Sequence, residues 1–329
     1  MSTWSSLVTI VLLITIALVG VQVAGMQMVF GVVVPYLAIL LFLTGIVVRV
    51  VRWAMSPVPF RIPTTSGQAR SLPWIRNNSL ESPHSALGVV GRMLLEVLLF
   101  RSLFRNTKTD LKEGRLLFGS NKWLWLGGLV FHYSFLIIFL RHFKYFAEPT
   151  PGFVAALQSV DGFFQIGLPV LFITDITFLV AVSWLFVRRL WIPQIRYISL
   201  ASDYFPLFLL LAIGTTGVLM RYFIKVDLVA VKELGTGLLS FHPVVPDVGV
   251  LFYIHFFLVC CLIAYFPFSK LVHMAGVFLS PTRNLANNNR AKRHVNPWDY
   301  PVHVHTYAEY EDEFRPVMKA AGLPLEKEE

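Results

Sequence analysis

The 329 residues are 56% hydrophobic and only 14% charged, with a mean hydropathy of +0.64, too apolar for a chain whose whole surface faces water. The two cysteines, Cys260 and Cys261, are adjacent in an apolar run, so there is no CxxC, no CxxCH and no four-thiolate set for an iron–sulfur cluster. The net charge of +9 lies between apolar runs, without interleaved aromatics or a reader motif, which argues against nucleic acid and for membrane topology as its cause.

A helix needs roughly 20 apolar residues to cross a hydrocarbon core about 30 Å thick. Six segments qualify. Residues 1–48 carry no charge and break only at the small and polar stretch 20–27, which predicts a tight hairpin of spans 5–24 and 28–50. The stretch lacks the charged n-region of a cleavable signal peptide and is too long for one. The next segment opens with the proline-rich Ser56-Pro-Val-Pro-Phe-Arg-Ile-Pro63, extended and stiff. Residues 88–104 are apolar but broken by Arg92, Glu96 and Arg101, the pattern of a helix lying in the membrane interface, with a docking surface for a soluble partner as the alternative. The third span is expected at 122–145, the fourth at 163–187 and the fifth at 204–222. The sixth begins near Val248 and stays apolar to Ser280, which predicts a helix running beyond the membrane with a kink near Pro267. The tail from Arg283 is polar, turn-rich and finally acidic.

Segments 49–122, 188–203 and 269–329 hold 23 of the 28 lysines and arginines, and all three fall on one side if six helices alternate. By the positive-inside rule that side is the cytoplasm, so the chain is expected in the cell inner membrane, embedded in lipid, with both termini cytoplasmic.

Four of the nine histidines, His132, His142, His255 and His273, lie in or at the ends of two spans. Imidazole in lipid is costly and marks a functional site; a hydrogen bond to a neighbouring helix would explain one such residue but explains four in two helices poorly. The third span runs outward, with His142 about 15 Å beyond His132; the sixth runs inward, with His273 about 27 Å beyond His255. Outer therefore meets outer, and inner meets inner. The pairs His142/His255 and His132/His273 would each grip one haem iron, giving two b-type haems stacked across the bilayer. The 18-residue spacing is five full turns and the 10-residue spacing leaves an offset of about 80°. Zinc wants its ligands near one point, which neither spacing permits within a helix. Gly127, Gly128 and Gly276 make room either for a porphyrin or for close helix packing. The expected fold is an all-α integral membrane protein of about six transmembrane helices binding two haems. Its parts are an N-terminal hairpin (1–50), a long cytoplasmic loop with an interfacial helix (51–121), a four-helix haem-binding membrane domain (122–280) and a cytoplasmic tail (281–329).

The histidine pattern resembles the gamma subunit of respiratory nitrate reductase, a quinol-oxidising cytochrome b, and the membrane subunit of heterodisulfide reductase. The stretches 56–65, Phe100-Arg-Ser-Leu-Phe-Arg-Asn106, Tyr265-Phe-Pro-Phe-Ser-Lys-Leu271 and 280–288 resemble the M-subunit family of the Dsr membrane complex. This resemblance implies electron exchange with menaquinone or menaquinol, within a quinone-linked oxidoreductase complex of sulfur metabolism. It also implies a cytoplasmic iron–sulfur K subunit, thought to act on the trisulfide of the small protein DsrC, a periplasmic multihaem cytochrome and a second membrane module as partners. The extra N-terminal helix and long inner loop depart from the nitrate reductase pattern, so that family's quinone positions do not transfer.

Quinol oxidation near the outer haem needs a proton acceptor and a hydrogen-bond donor. Lys144 and Asp227 are the preferred pair among Arg141, Lys144, Tyr145, Glu148, Lys225, Asp227, Lys232 and Glu233, any of which could instead anchor a helix end. Arg141 is also a candidate to pair with a haem propionate. Asp175, the one acid deep in a span, would serve a proton path or hydrogen-bond to a nearby threonine or another helix. His84, His242, His294, His303 and His305 read as surface residues, His242 with a weak claim on the quinone site. Two other classes compete: an ion or proton transporter using these histidines and Asp175, and a haem-free membrane anchor.

Overall fold

The computed structural model describes residues 2–56, 70, 72–162, 169–280, 282–288, 301 and 303–327. The proline-rich residues 57–65, the expected start of the fourth span at Phe163, and His294 lie outside the described residues.

The hairpin forms as expected. Helix α1 (Ser2–Gln22) turns at Gly25, whose φ of 63° suits glycine, and a π-helical turn at Val29–Val33 leads into α2 (Val34–Ala54). In the long loop, α3 (Ala86–Leu99) is N-capped by Ser85, which accepts from the Gly88 amide, and Phe100 at φ 48° separates it from α4 (Arg101–Arg105). The expected single helix is thus two, and α3 is inside out. Arg92 and Glu96 are buried against the protein while Leu87, Val90, Leu94 and Leu98 face outward, so the helix lies with its apolar face toward lipid and its charges inward. Strands β1 (Thr107–Lys112) and β2 (Arg115–Ser120) form an antiparallel hairpin absent from the sequence expectation, turning at Glu113 and Gly114, both at positive φ.

Helix α5 (Lys122–Arg141) ends in a 3-10 turn over His142–Tyr145 and is followed by α6 (Gly152–Asp161), α7 (Ile173–Trp191), α8 (Pro193–Ile198), α9 (Ala201–Tyr222), α10 (Leu228–Ser240) and α11 (Val250–Tyr265). The expected kink near Pro267 is instead a break. Proline lacks the N–H that would continue the helix; 3-10 turns at Phe266–Phe268 and Lys270–Val272 flank an extended Ser269, before α12 (His273–Leu279). The tail forms α13 (Tyr307–Ala320), opened by a capping box between Thr306 and Glu309.

The chain is a mostly helical, multi-pass membrane protein. Among the described residues five helices have the length and composition to cross a bilayer: 3–22, 29–54, 122–145, 201–222 and 250–268. Helix α7 occupies the place of the expected fourth span, but its 19 residues carry Asp175, Arg188 and Arg189. In each of the five spans, between 17% and 33% of the window is buried inside the protein, so most of the apolar surface points outward, as it must where the solvent is hydrocarbon. Helix α5 packs on α7, α7 on α9 and α9 on α11, while α1 packs on α9 and α11, and α2 on α11. Gly127 on α5 touches Trp184 of α7, where an added Cβ would come within 2.6 Å of the indole; this glycine serves close packing. Ser6 of α1 donates to the Ala201 carbonyl (3.0 Å), and Gly45 of α2 sits against Pro267. Alternating directions therefore put the N-terminus, the loop with α3 and α4, and the α12 segment at one end of the bundle. That end is called inner below.

Candidate redox-cofactor site

The two histidine-bearing helices, α5 and α11, share no packed interface. Between them lies a cavity of about 2320 Å³, lined by all four span histidines. A pocket for one drug-sized ligand is typically about 300–1,000 Å³, so this one has room for more than a single large group.

Each of the four imidazoles is held through Nδ1. His132 donates to the Gly128 carbonyl (2.7 Å), His142 to Ile138 (2.7 Å) and His273 to Lys270 (2.8 Å). His255 meets the Thr216 hydroxyl at 2.9 Å, and that hydroxyl itself donates to the Ala212 carbonyl (2.8 Å), so the imidazole is the donor. A proton fixed on Nδ1 leaves the Nε2 lone pair of a neutral ring as the ligating position, the arrangement metal-binding histidines use.

The inner pair meets. The ring centres of His132 and His273 are 5.9 Å apart with planes at 86°, while two imidazoles sharing one metal at bonds of about 2 Å place their centres about 6 Å apart. The break in α11 does not spoil this, because Ser269 accepts from the Leu271 amide and Lys270 reaches Asp203 at 2.7 Å, fixing the short turn that carries His273. Phe100 stands edge-on to His132, with ring centres 4.9 Å apart. At the outer end His142 and His255 both line the cavity and lie within electrostatic reach of each other. No cluster of three or more His, Cys, Asp or Glu side chains fit to hold a metal ion occurs among the described residues, which leaves paired imidazoles as the metal-binding feature.

Buried arginines close both ends. At the inner end Arg92 donates to the Thr282 carbonyl (3.1 Å), and Arg283 pairs with Glu96 at 3.0 Å, so the segment 282–288 straps α3 to the bundle. Asn287 completes the strap through the Pro83 carbonyl and the Ser82 hydroxyl. At the outer end Arg141 pairs with Asp161 (3.1 Å) and Asp175 (2.5 Å), and Tyr222 donates to Asp175 (2.8 Å). Phe172 lies between the guanidinium groups of Arg141 and Arg221, 3.9 and 4.0 Å from its ring centre. Asp175 is thus an ion-pair partner held across three helices rather than a lone acid. Arg92 and Arg141 line the cavity, and in both the buried Nε has no hydrogen-bond acceptor among the described residues.

The expected quinone residues separate. Lys144 and Tyr145 line the outer part of the cavity with Arg221 and Lys225. Asp227 caps α10, accepting from the Val229 and Ala230 amides, and Glu148 pairs with Lys232. His242 is exposed and donates to the Ser240 carbonyl, while His303 and His305 stack on one another in the exposed tail. His84 lies near Asn77 in the inner loop, 3.4 Å from its amide nitrogen.

A family model described as nitrate reductase gamma subunit matches residues 93–291, a stretch that holds all four cavity histidines. The chain belongs to that family. This member of the nitrate reductase gamma subunit family also resembles an Hdr-like menaquinol oxidoreductase cytochrome b-like subunit of Archaeoglobus fulgidus, at 46% identity over 82% of this chain and 83% of that protein. The subunit of the same description from Archaeoglobus profundus is 45% identical, over 80% of this chain and 81% of that protein. The family match begins inside α3, so the hairpin of α1 and α2 lies outside it.

One acid at the inner end gives a pH dependence. Burial disfavours the Glu81 carboxylate, but hydrogen bonds from Arg105 and Arg101 outweigh it and hold the group below the ordinary glutamate range. A lowered folded value means that its contribution is complete above the unfolded value of about 4.3 and is lost as pH falls through the folded value. Amide exchange in residues 86–105 is expected to quicken selectively below about pH 4, and Glu81→Gln should abolish that response.

Proposed function

We propose that the chain is a dihaem b-type cytochrome that passes electrons from menaquinol to a cytoplasmic partner. The carrying observation is the inner imidazole pair, 5.9 Å apart with both Nδ1 atoms engaged. Haem held by His142/His255 and by His132/His273 supplies one-electron transfer between the two faces of the bilayer, with no coordination position open for substrate. Arg92 and Arg141 each keep an N–H for a propionate. The names of the two archaeal relatives support menaquinol as the donor.

At the outer end Lys144 and Tyr145 stand where a quinol hydroxyl would be oriented, and a deprotonated Lys144 amine is the acceptor of its proton. Asp227, at the start of α10, lies next in line toward the outer face. The basic inner segments put both termini in the cytoplasm of a cell whose inner membrane holds the protein, with residues 51–121 and 281–329 as its cytoplasmic parts and 122–280 as the haem domain. The partner at that face is an iron–sulfur subunit of heterodisulfide-reductase type, in a Dsr-like complex of sulfur metabolism that also contains a periplasmic multihaem cytochrome.

Dithionite reduction of the purified chain decides the cofactor: a b-type spectrum with two haems per chain is expected, and a haem-free, folded protein would favour transport or simple anchoring. Reduction of that spectrum by a menaquinol analogue tests the donor.

A further inference from the structure

The cavity has a side arm that the electron path leaves unused. Its walls are Tyr36 and Ile39 of α2 with Val231, Leu238, Leu239 and Phe241 of α10 and its end. The Tyr36 hydroxyl donates to the Leu238 carbonyl (2.9 Å), and its ring stacks on Phe241 at 5.8 Å with planes 5° apart. Phe241 holds a left-handed φ of 59° as the C-cap of α10. Two independent contacts thus fix α10 to α2 at this opening.

The arm joins two unlike environments. At one end α10 lies on the 3-10 turn after α5, where a Cβ on Gly235 would come within 2.2 Å of the Tyr145 carbonyl, beside Lys144. At the other end Ile39, Leu239 and Phe241 are 46%, 63% and 77% exposed. Ile39 is ten residues into its span, about 15 Å along the helix and so at hydrocarbon depth. A molecule filling both ends needs a flat polar head for the Lys144 and Tyr145 end and a long apolar chain that reaches into lipid. A phospholipid fits less well, because its charged head belongs at the membrane surface rather than at the inner end of an apolar slot.

We propose that the slot between Tyr36 and Ile39 of α2 and Leu238, Leu239 and Phe241 of α10 is the lateral entrance and tail-binding site of a prenylated quinol whose ring lies beside Lys144 and Tyr145. The proposal rests on the quinol reading above and adds the route and the substrate class: quinols with a long isoprenoid tail, delivered from the bilayer rather than from water.

The test uses the full-length, haem-loaded protein and follows haem reduction by stopped flow with two donors, a long-tailed menaquinol and a tail-less naphthoquinol. Leu239→Trp and Ile39→Trp narrow the slot. Both are expected to raise the half-saturating concentration of the tailed quinol on the order of tenfold, with less than about a twofold change for the tail-less one. Equal effects on both donors, or none on either, overturn the entrance. Leu239→Ala, which widens the slot, serves as the second variant and is expected to keep wild-type saturation by the tail-less donor. Independently of any variant, a menaquinone analogue with a photoreactive tail is expected to label α2 near Ile39 or α10 near Leu239 in the unaltered protein, and labelling confined to other helices, or labelling fully displaced by phospholipid but not by menaquinone, overturns the proposal. If neither quinol reduces the wild-type haems, the quinol reading itself fails, a result distinct from failure of the entrance alone.

Discussion

Replacing His142 by alanine is expected to leave a folded protein with one haem per chain instead of two, and replacing His273 should do the same at the other end. Each substitution removes one of two axial imidazoles, and a haem held from one side loses half its coordination. The paired arrangement makes a stronger demand. The double variant His142→Ala with His255→Ala should still hold one haem, because both changes strike the outer pair, whereas His142→Ala with His273→Ala should hold none. The pyridine haemochrome content of the four proteins is the measurement. One haem in both doubles would break the pairing of outer with outer and inner with inner. Substituting Thr216 by valine, which removes the acceptor for the His255 Nδ1 proton, should keep both haems while lowering the outer midpoint potential's dependence on ring orientation, a far smaller effect than loss of a ligand.

Arg141→Met is expected to cost about 3–5 kcal/mol of stability, because it strands two carboxylates that the arginine now neutralises in a buried place. The side chains of Arg141, Asp161 and Asp175 are 7%, 3% and 11% exposed, so water does little to compensate. Arg221 stays 3.9 Å from Asp175 but is too far to replace the lost partner fully. The triple variant Arg141→Met, Asp161→Asn and Asp175→Asn should recover most of the loss, since an apolar or neutral set in place of a buried ion cluster is often tolerated. Denaturant-induced unfolding in detergent micelles reads both. A triple variant as unstable as the single one would show that Arg141 acts through packing on Phe172 instead.

Much of this was legible in residue spacing. Hydrophobic runs place five spans to within a few residues, and helix direction alone pairs His132 with His273. What the spacing could not reveal was how the chain gets there. A continuous helix from His255 to His273 is broken at Pro267 and Ser269, and the inner rings meet because a hydrogen bond from Lys270 to Asp203, 67 residues away, fixes the turn. Asp175 looked solitary because Arg141 is 34 residues distant and Tyr222 is 47. Arg92 and Glu96, four apart, announce one polar face of α3, but only the tail residue Arg283 shows that this face turns inward. The hairpin at 107–120 was open to reading: Glu113-Gly114 is a turn pair between residues that alternate toward two faces. Helix α13 had its signal in the Thr306 and Glu309 capping box, masked by Pro316 and a highly charged composition.

The reversed polarity of α3 bears on how this face meets its surroundings. With leucines and valines turned away from the protein and charges turned toward it, the segment behaves as a keel sunk among acyl chains, and the strap from Arg283 to Glu96 moors the C-terminal tail to that keel. Anything that docks at the inner end therefore meets a landing stage held at a set height above the acyl chains, and detergent that strips the surrounding lipid would loosen the stage before it disturbed the helices beneath.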